Sequence, residues 1–276
     1  MDYDAGTAHK IFGVDFSGAQ QAGRTLALAE GVLVHDRLTI ERVSLGRDLP
    51  NSGLARKRCY DALGQLIAEQ QPAVVGIDAP LALPATMMRE LSPSSTDWVT
   101  ASAAIAAMTD PYALRQWCRA RSAKPELKRV TDRHAQTPMS PYNLRVVAQT
   151  WGAARLLEPM LRSGQCVVWP CQPIENGAVV FVESCPASLL LRVGQRVAYK
   201  RREHTAARKD IVAQLLAAKW GLPFIDLADS SAIIEDQGGD LLDSVMCAWL
   251  AARQLQSGWS TNKCHPASQL EAWVIF

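Results

Sequence analysis

The chain has 276 residues, 48% of them hydrophobic and 20% charged, with a formal net charge of +2. That length can bury a full core, and the balance is that of an ordinary soluble globular protein. The longest charge-free stretch with a helical pattern, Trp98–Met108, is too short to span a bilayer, and charges precede the first apolar run, which excludes a signal peptide.

Ile11, Phe12 and Val14 open the pattern of a strand covered on both faces. Asp15 closes it, and Ser17-Gly18 begin a turn. A carboxylate at the tip of a central strand is costly to bury alone and calls for a metal, a cation or a set of hydrogen bonds. An Asx-turn capping its own loop accounts for Asp15 equally well. The next loop, Gly18 to Thr25, nearly spells the phosphate-loop pattern, with Arg24 where lysine is required. A phosphate loop must open a helix, whereas Thr25–Glu30 alternates like a strand, so we expect a hairpin. Gly31 is then expected to turn the chain into a third strand, Val32 to about Val43.

A helix capped by Asn51 or Ser52 is expected to run to about Glu69, with Leu54, Cys59, Leu63 and Ile67 on one face. Ala73–Asp78 repeats the first strand's ending: apolar run, Gly, apolar residue, Asp, small turn. If the two strands are parallel neighbours, Asp15 and Asp78 share the carboxyl edge where open α/β sheets bind ligands. Two acids placed together repel unless a cation lies between them.

From about 84 to 165 the strand rhythm is interrupted by a loop around Ser92–Thr96 and helical patterns at Val99–Met108, Pro111–Arg121 and Leu144–Arg162. Between them Lys124–Pro141 is basic and proline-punctuated with no apolar period, and reads as an exposed, mobile segment near the site. Strands resume at Cys166–Trp169 and Ala178–Glu183, where Glu183 again closes an apolar run. Helices are expected from Pro186 to Leu191 and from Ala206 to Trp220, the latter burying Ile211, Leu215 and Leu216, before an acidic connector from Asp226 to Asp236. Asp240 fits the cap of a last helix, with Asp243 at its third position. There Asp243 complements the helix dipole, but it shares a face with Cys247 and Leu250 and so looks inward. Glu271–Phe276 can add an edge strand. Seven cysteines, an odd number without CxxC spacing, read as reduced cytosolic thiols rather than a disulfide frame or zinc site.

The low net charge conceals two basic runs. Arg115–Arg145 holds eight basic residues against two acids, and Arg192–Lys209, which includes Lys200 and Arg208, holds seven against one. Such segregation suits a phosphate-bearing partner, and a solvated helix face explains either run alone.

GVDFSGA at Gly13–Ala19, GIDAPLALP at Gly76–Pro84, VESCPAS at Val182–Ser188, Tyr199-Lys200 and DLLDSVMCAWLA at Asp240–Ala251 resemble, in this order, domain-of-unknown-function family 429. TDRHAQTPMSPYNLR at Thr131–Arg145 is similar to a segment of its long-insert members. Members of that family are regarded as ribonuclease H-like nucleases. The resemblance implies one ribonuclease H-like α/β domain over 1–276: three antiparallel strands, then parallel strands, flanked by helices, with a largely helical basic insertion at about 84–165. It implies Asp15, Asp78, Glu183 and Asp243 as catalytic acids. Asp15, Asp78 and Asp243 would hold two Mg²⁺ or Mn²⁺ ions about 4 Å apart for phosphodiester hydrolysis. Ser17, Lys128, Arg129, Arg133, Arg145, Lys200 and Arg208 are the residues expected to hold nucleic-acid phosphates, in a cytoplasmic protein without membrane association. The actin and sugar-kinase ATPases share this strand order and use an Asp followed by a Ser-Gly turn, but they need two such halves and one is evident. A non-catalytic nucleic-acid-binding protein is the third reading.

Overall fold

The computed structural model describes residues 4, 6–94, 97–122, 125–175 and 177–276; Ser95, Thr96 and Lys124 of the expected loop and basic segment lie outside the described residues. Strand β1 (His9–Asp15) pairs antiparallel with β2 (Ala27–Val34), which pairs antiparallel with β3 (Arg37–Leu45). The reversal between β2 and β3 falls at His35-Asp36, not at Gly31, with His35 taking the left-handed conformation at φ 51°. Gly31 stays inside β2, where the register shifts, because a Cβ there would press on the Thr39 carbonyl.

Helix α1 (Arg56–Ala68) begins later than Asn51 or Ser52 suggest; Asn51 adopts φ 59° and the cap is Ala55, which lends no side-chain bond. Cys59, Leu63 and Ile67 are buried as expected, while Leu54 precedes the helix and is exposed. Strand β4 (Ala73–Asp78) then pairs parallel with β1, in a register that sets Gly13 beside Gly76 and Asp15 beside Asp78.

The insertion holds α2 (Ala85–Leu91), α3 (Trp98–Ala107), α4 (Pro111–Arg119), α5 (Val130–Ala135) and α6 (Val147–Arg162). Asp97 and Asp110 cap α3 and α4 through the amides of Thr100 and Ala113, each at 2.8 Å. α5, inside the segment expected to be exposed, is instead partly buried: Arg129, Thr131 and Asp132 are all at 1% exposure. The absent apolar period misleads because this segment is held by polar contacts. Glu271 ties it down, accepting from the Ala85 amide (2.7 Å) and the Val130 amide (2.6 Å), and Val274 N–H donates to Thr131 Oγ1 at 2.7 Å.

Strand β5 (Cys166–Trp169) runs parallel to β6 (Val179–Ser184), itself parallel to β4. Helices α7 (Pro186–Arg192) and α8 (Thr205–Leu216) follow; α8 buries Ile211 and Leu215 but leaves Leu216, its last residue, exposed. The expected acidic connector folds into the edge strand β7 (Phe224–Leu227), parallel to β3, and α9 (Ser230–Glu235). Asp226 accepts two hydrogen bonds from Arg37, and Asp229 caps α9. Long α10 (Asp240–Ser257), short α11 (Ser268–Glu271) and β8 (Val274–Ile275), which lies beside β6, complete the chain.

The result is a mixed α/β fold whose main sheet order is β5-β6-β4-β1-β2-β3-β7. Helices cover both faces: one apolar layer joins the sheet to α1 and the insertion, the other to α7, α8 and α10. α10 lies directly on β1 and β4 because those strands carry glycine where it crosses. A Cβ on Gly13 would collide with the Ser244 carbonyl, and one on Gly76 with the Cys247 carbonyl. Among the described residues no helix is long and apolar enough to cross a membrane, and all seven cysteines are free thiols.

Candidate metal centre

Three elements meet where β1 and β4 end. Asp15 and Asp78 close adjacent parallel strands, and the glycine pair lowers α10 far enough to bring Asp243, in its first turns, against them. One carboxylate oxygen from each lies within 4.8 Å of the others. Asp15 is 7% and Asp243 2% exposed, so this negative charge is held away from bulk water. The helix begins at Asp240, with Gly239 as cap, which places Asp243 one residue further in than the third position.

Burial, and then the neighbouring Asp243 carboxylate, raises Asp15 well above the usual carboxylate range and lifts Asp78 to about 7. Burial also raises Asp243, though Lys200 and Tyr199 oppose the rise. Lys200 Nζ stands 2.6 Å from Asp243 Oδ2, and Tyr199 OH donates to Asp243 Oδ1 at 2.7 Å. The triad thus carries an internal cation, whose own loss of solvent is outweighed by Asp243 and Asp15, so that the Lys200 ammonium is held charged.

Glu183 does not join the three aspartates. Arg129 donates to both of its oxygens, at 2.7 and 2.5 Å, and Leu81 N–H donates to Oε2 at 2.9 Å. The same guanidinium donates to both oxygens of Asp132, at 3.0 and 2.7 Å, and to the Glu271 carbonyl at 3.0 Å. Arg129 is therefore the centre of a buried ionic cage rather than a phosphate contact. Arg208, fully buried, is likewise committed to protein: it donates to the carbonyls of Ile234 (2.7 Å), Tyr199 (2.6 Å) and Arg201 (2.7 Å). By gripping the carbonyls of Tyr199 and Arg201 it presents Tyr199 and Lys200 to Asp243.

A cleft of about 390 Å³ opens beside the triad, lined by Asp15, Ser17, Arg145, Gln149, Lys200 and Asp240 among others. Ser17 Oγ accepts from Thr25 Oγ1 at 2.7 Å, and Gln149 reaches the Phe16 carbonyl from α6 at 2.8 Å. A smaller cavity of about 210 Å³ lies on the other side, between Asp78 and the Arg129 cage. Lys128 donates to the Thr137 carbonyl at 2.5 Å, and exposed Arg133 lines neither space. The structure thus gathers Asp15, Asp78, Asp243, Ser17, Arg145 and Lys200, sets the Arg129–Glu183 cage across the smaller cavity from Asp78, and places Lys128, Arg133 and Arg208 outside both spaces.

Two groups at the site escaped the sequence reading. Asp240 reads as a cap, yet it lines the cleft beside Asp15, and burial raises its carboxyl to about 6. Its signal was the spacing to Asp243, three residues on, which puts both on one helix face. Tyr199 stands in the Tyr199-Lys200 pair of the family resemblance, but nothing local marks its hydroxyl as a partner of Asp243.

Three clustered carboxylates are hard oxygen ligands that suit Mg²⁺ or Mn²⁺. The family model described as "Protein of unknown function (DUF429)" matches residues 13–268. No curated protein and no solved structure matches the chain.

Proposed function

The chain belongs to the family of unknown function DUF429, and from that premise we propose that it is a metal-dependent phosphodiester hydrolase acting on nucleic acid. The observation that carries this reading is the convergence of Asp15, Asp78 and Asp243 within 4.8 Å at the carboxyl edge of the sheet. Support comes also from the succession β3-β2-β1-β4-β6, antiparallel then parallel, which is the order expected of a ribonuclease H-like fold. Asp15, Asp78 and Asp243 would hold Mg²⁺ or Mn²⁺, flanked by Asp240, and a metal there would supply polarisation of water and neutralisation of charge on phosphate oxygens. Arg145 and Ser17 line the cleft where a phosphate would lie, and Lys200, half exposed, reaches from Asp243 toward the same space. The free thiols agree with a reducing, cytoplasmic setting.

Thermal melting provides the first test. Mn²⁺ at a hundredfold excess over its Kd is expected to stabilise the protein by about 2.7 kcal/mol, and Asp15→Asn to abolish the increment. Cleavage of labelled DNA and RNA with Mn²⁺, run beside ATP turnover, decides the chemistry; ATP turnover without strand cleavage would overturn the proposal.

Acidity gives a second expected outcome. With its pKa lifted to about 7, folded metal-free protein retains a proton on Asp78 that the unfolded chain has lost. This group's contribution to stability is thus greatest in acid and fades as pH rises from the ordinary carboxylate range to about 7. Ion binding must expel that proton, so apparent Mn²⁺ affinity is expected to increase with pH across the same interval. Calorimetry in buffers of different ionisation enthalpy measures the release, and pH-independent affinity would contradict it.

A further inference from the structure

A groove of about 430 Å³ lies well away from the triad, against the second half of α10 and the β8 edge. Arg192, Arg253 and Lys263 line it together with His134, and no Asp or Glu side chain does. Among the described residues no ion pair engages those three cations. Arg192 comes from the second basic run, of which the triad uses only Lys200 and, as its support, Arg208. Arg253 follows Asp243 by ten residues, which sets it about 15 Å further along the helix.

The two guanidiniums are held by rings rather than by acids: Arg192 lies 5.3 Å from the Phe276 ring centroid and Arg253 5.5 Å from that of Trp249. Such contact holds each guanidinium near its ring while spending none of its N–H donors. Burial, and then the charge of Arg192, push the Arg253 guanidinium below its ordinary value, a repulsion that an anion between them would relieve. Beside the cations stand aromatic surfaces. The His134 ring is 4.9 Å from Trp273 and 5.5 Å from Phe276, centroid to centroid, and Trp169 also faces the groove.

Unpaired cations beside aromatic faces are what a flexible strand of nucleic acid needs: charge along the backbone and π surfaces for its bases. We propose that this groove binds single-stranded nucleic acid, with Arg192, Arg253 and Lys263 on phosphates and the Trp273–Phe276 surface against a base. Binding here needs no metal and no hydrolysis, so it stands apart from the chemistry proposed for the triad.

The test is fluorescence anisotropy of a labelled single-stranded oligonucleotide in EDTA, with the full chain. Arg192→Gln/Arg253→Gln is expected to weaken binding at least tenfold and to lower the salt slope by about 1.4, at roughly 0.7 for each lost phosphate contact on a single strand. Arg192→Lys/Arg253→Lys is expected to regain most of the slope, and circular dichroism and melting check that both variants fold. Unchanged affinity and slope in the glutamine variant would overturn the proposal. So would competition by inorganic polyphosphate of matched charge as strong as that by unlabelled oligonucleotide, since the aromatic surface would then contribute nothing.

Discussion

Asp243→Asn is expected to abolish strand cleavage, by at least about a thousandfold or ~4 kcal/mol of activation free energy, in a protein that still folds. The side chain is 2% exposed and lies in the first turns of α10, where its value to the helix dipole is only about 0.3–1 kcal/mol. Against that small loss stands a gain: Asp15, and likewise Asp78, is pushed up in part by the Asp243 carboxylate, and an amide removes that repulsion. Lys200 forfeits its closest partner, but half of its side chain is solvated, so the loss is screened. Metal-free Asp243→Asn is therefore expected to melt at or above the wild-type temperature, with no Mn²⁺-induced increment. A variant that cuts at near-normal rates would show that Asp243 only serves the helix terminus.

Arg129→Met is expected to be strongly destabilising, at about 3–5 kcal/mol in chemical denaturation. Methionine fills much of the volume but leaves Glu183 and Asp132 without their shared cation, and their side chains are 4% and 2% exposed. Most of that loss is the penalty on the abandoned carboxylates rather than the worth of the pair. Arg129→Met/Glu183→Leu/Asp132→Leu should accordingly recover a large part of it. A single variant within 1 kcal/mol of wild type would show that Glu183 and Asp132 tolerate burial unpaired.

The strand-ending aspartates were legible because strand, glycine and acid are neighbours in the chain and the pattern occurs twice. Asp243 was legible from its helical spacing to Cys247 and Leu250. What misled were residues whose partners are remote. Arg129 sits in a polar stretch that reads as solvent-facing, and its partner Glu183 is 54 residues away. Arg208 belongs to a basic run whose composition suggests phosphates, yet its fully buried guanidinium is consumed by main-chain carbonyls, which composition cannot reveal. Glu183 shares the strand-end pattern of Asp15 and Asp78, but the insertion supplies it with an arginine that they lack. Strand β7 was invisible for another reason: it is four residues long on an edge, and Phe224 and Asp226 are exposed, so no apolar alternation marks it.

The bonds from Glu271 to the insertion impose an order in time on biosynthesis. Val130 emerges 141 residues ahead of the glutamate that secures it. At about 5–20 residues per second that interval is on the order of ten seconds. Through it β1–β4 and α6 can already collapse together, while Arg129 and Asp132 wait for the carboxylate of Glu183, which follows Arg129 by 54 residues. The nascent insertion is thus a long-lived guest of the partly built sheet, polar where Glu271 and Val274 will later seal it.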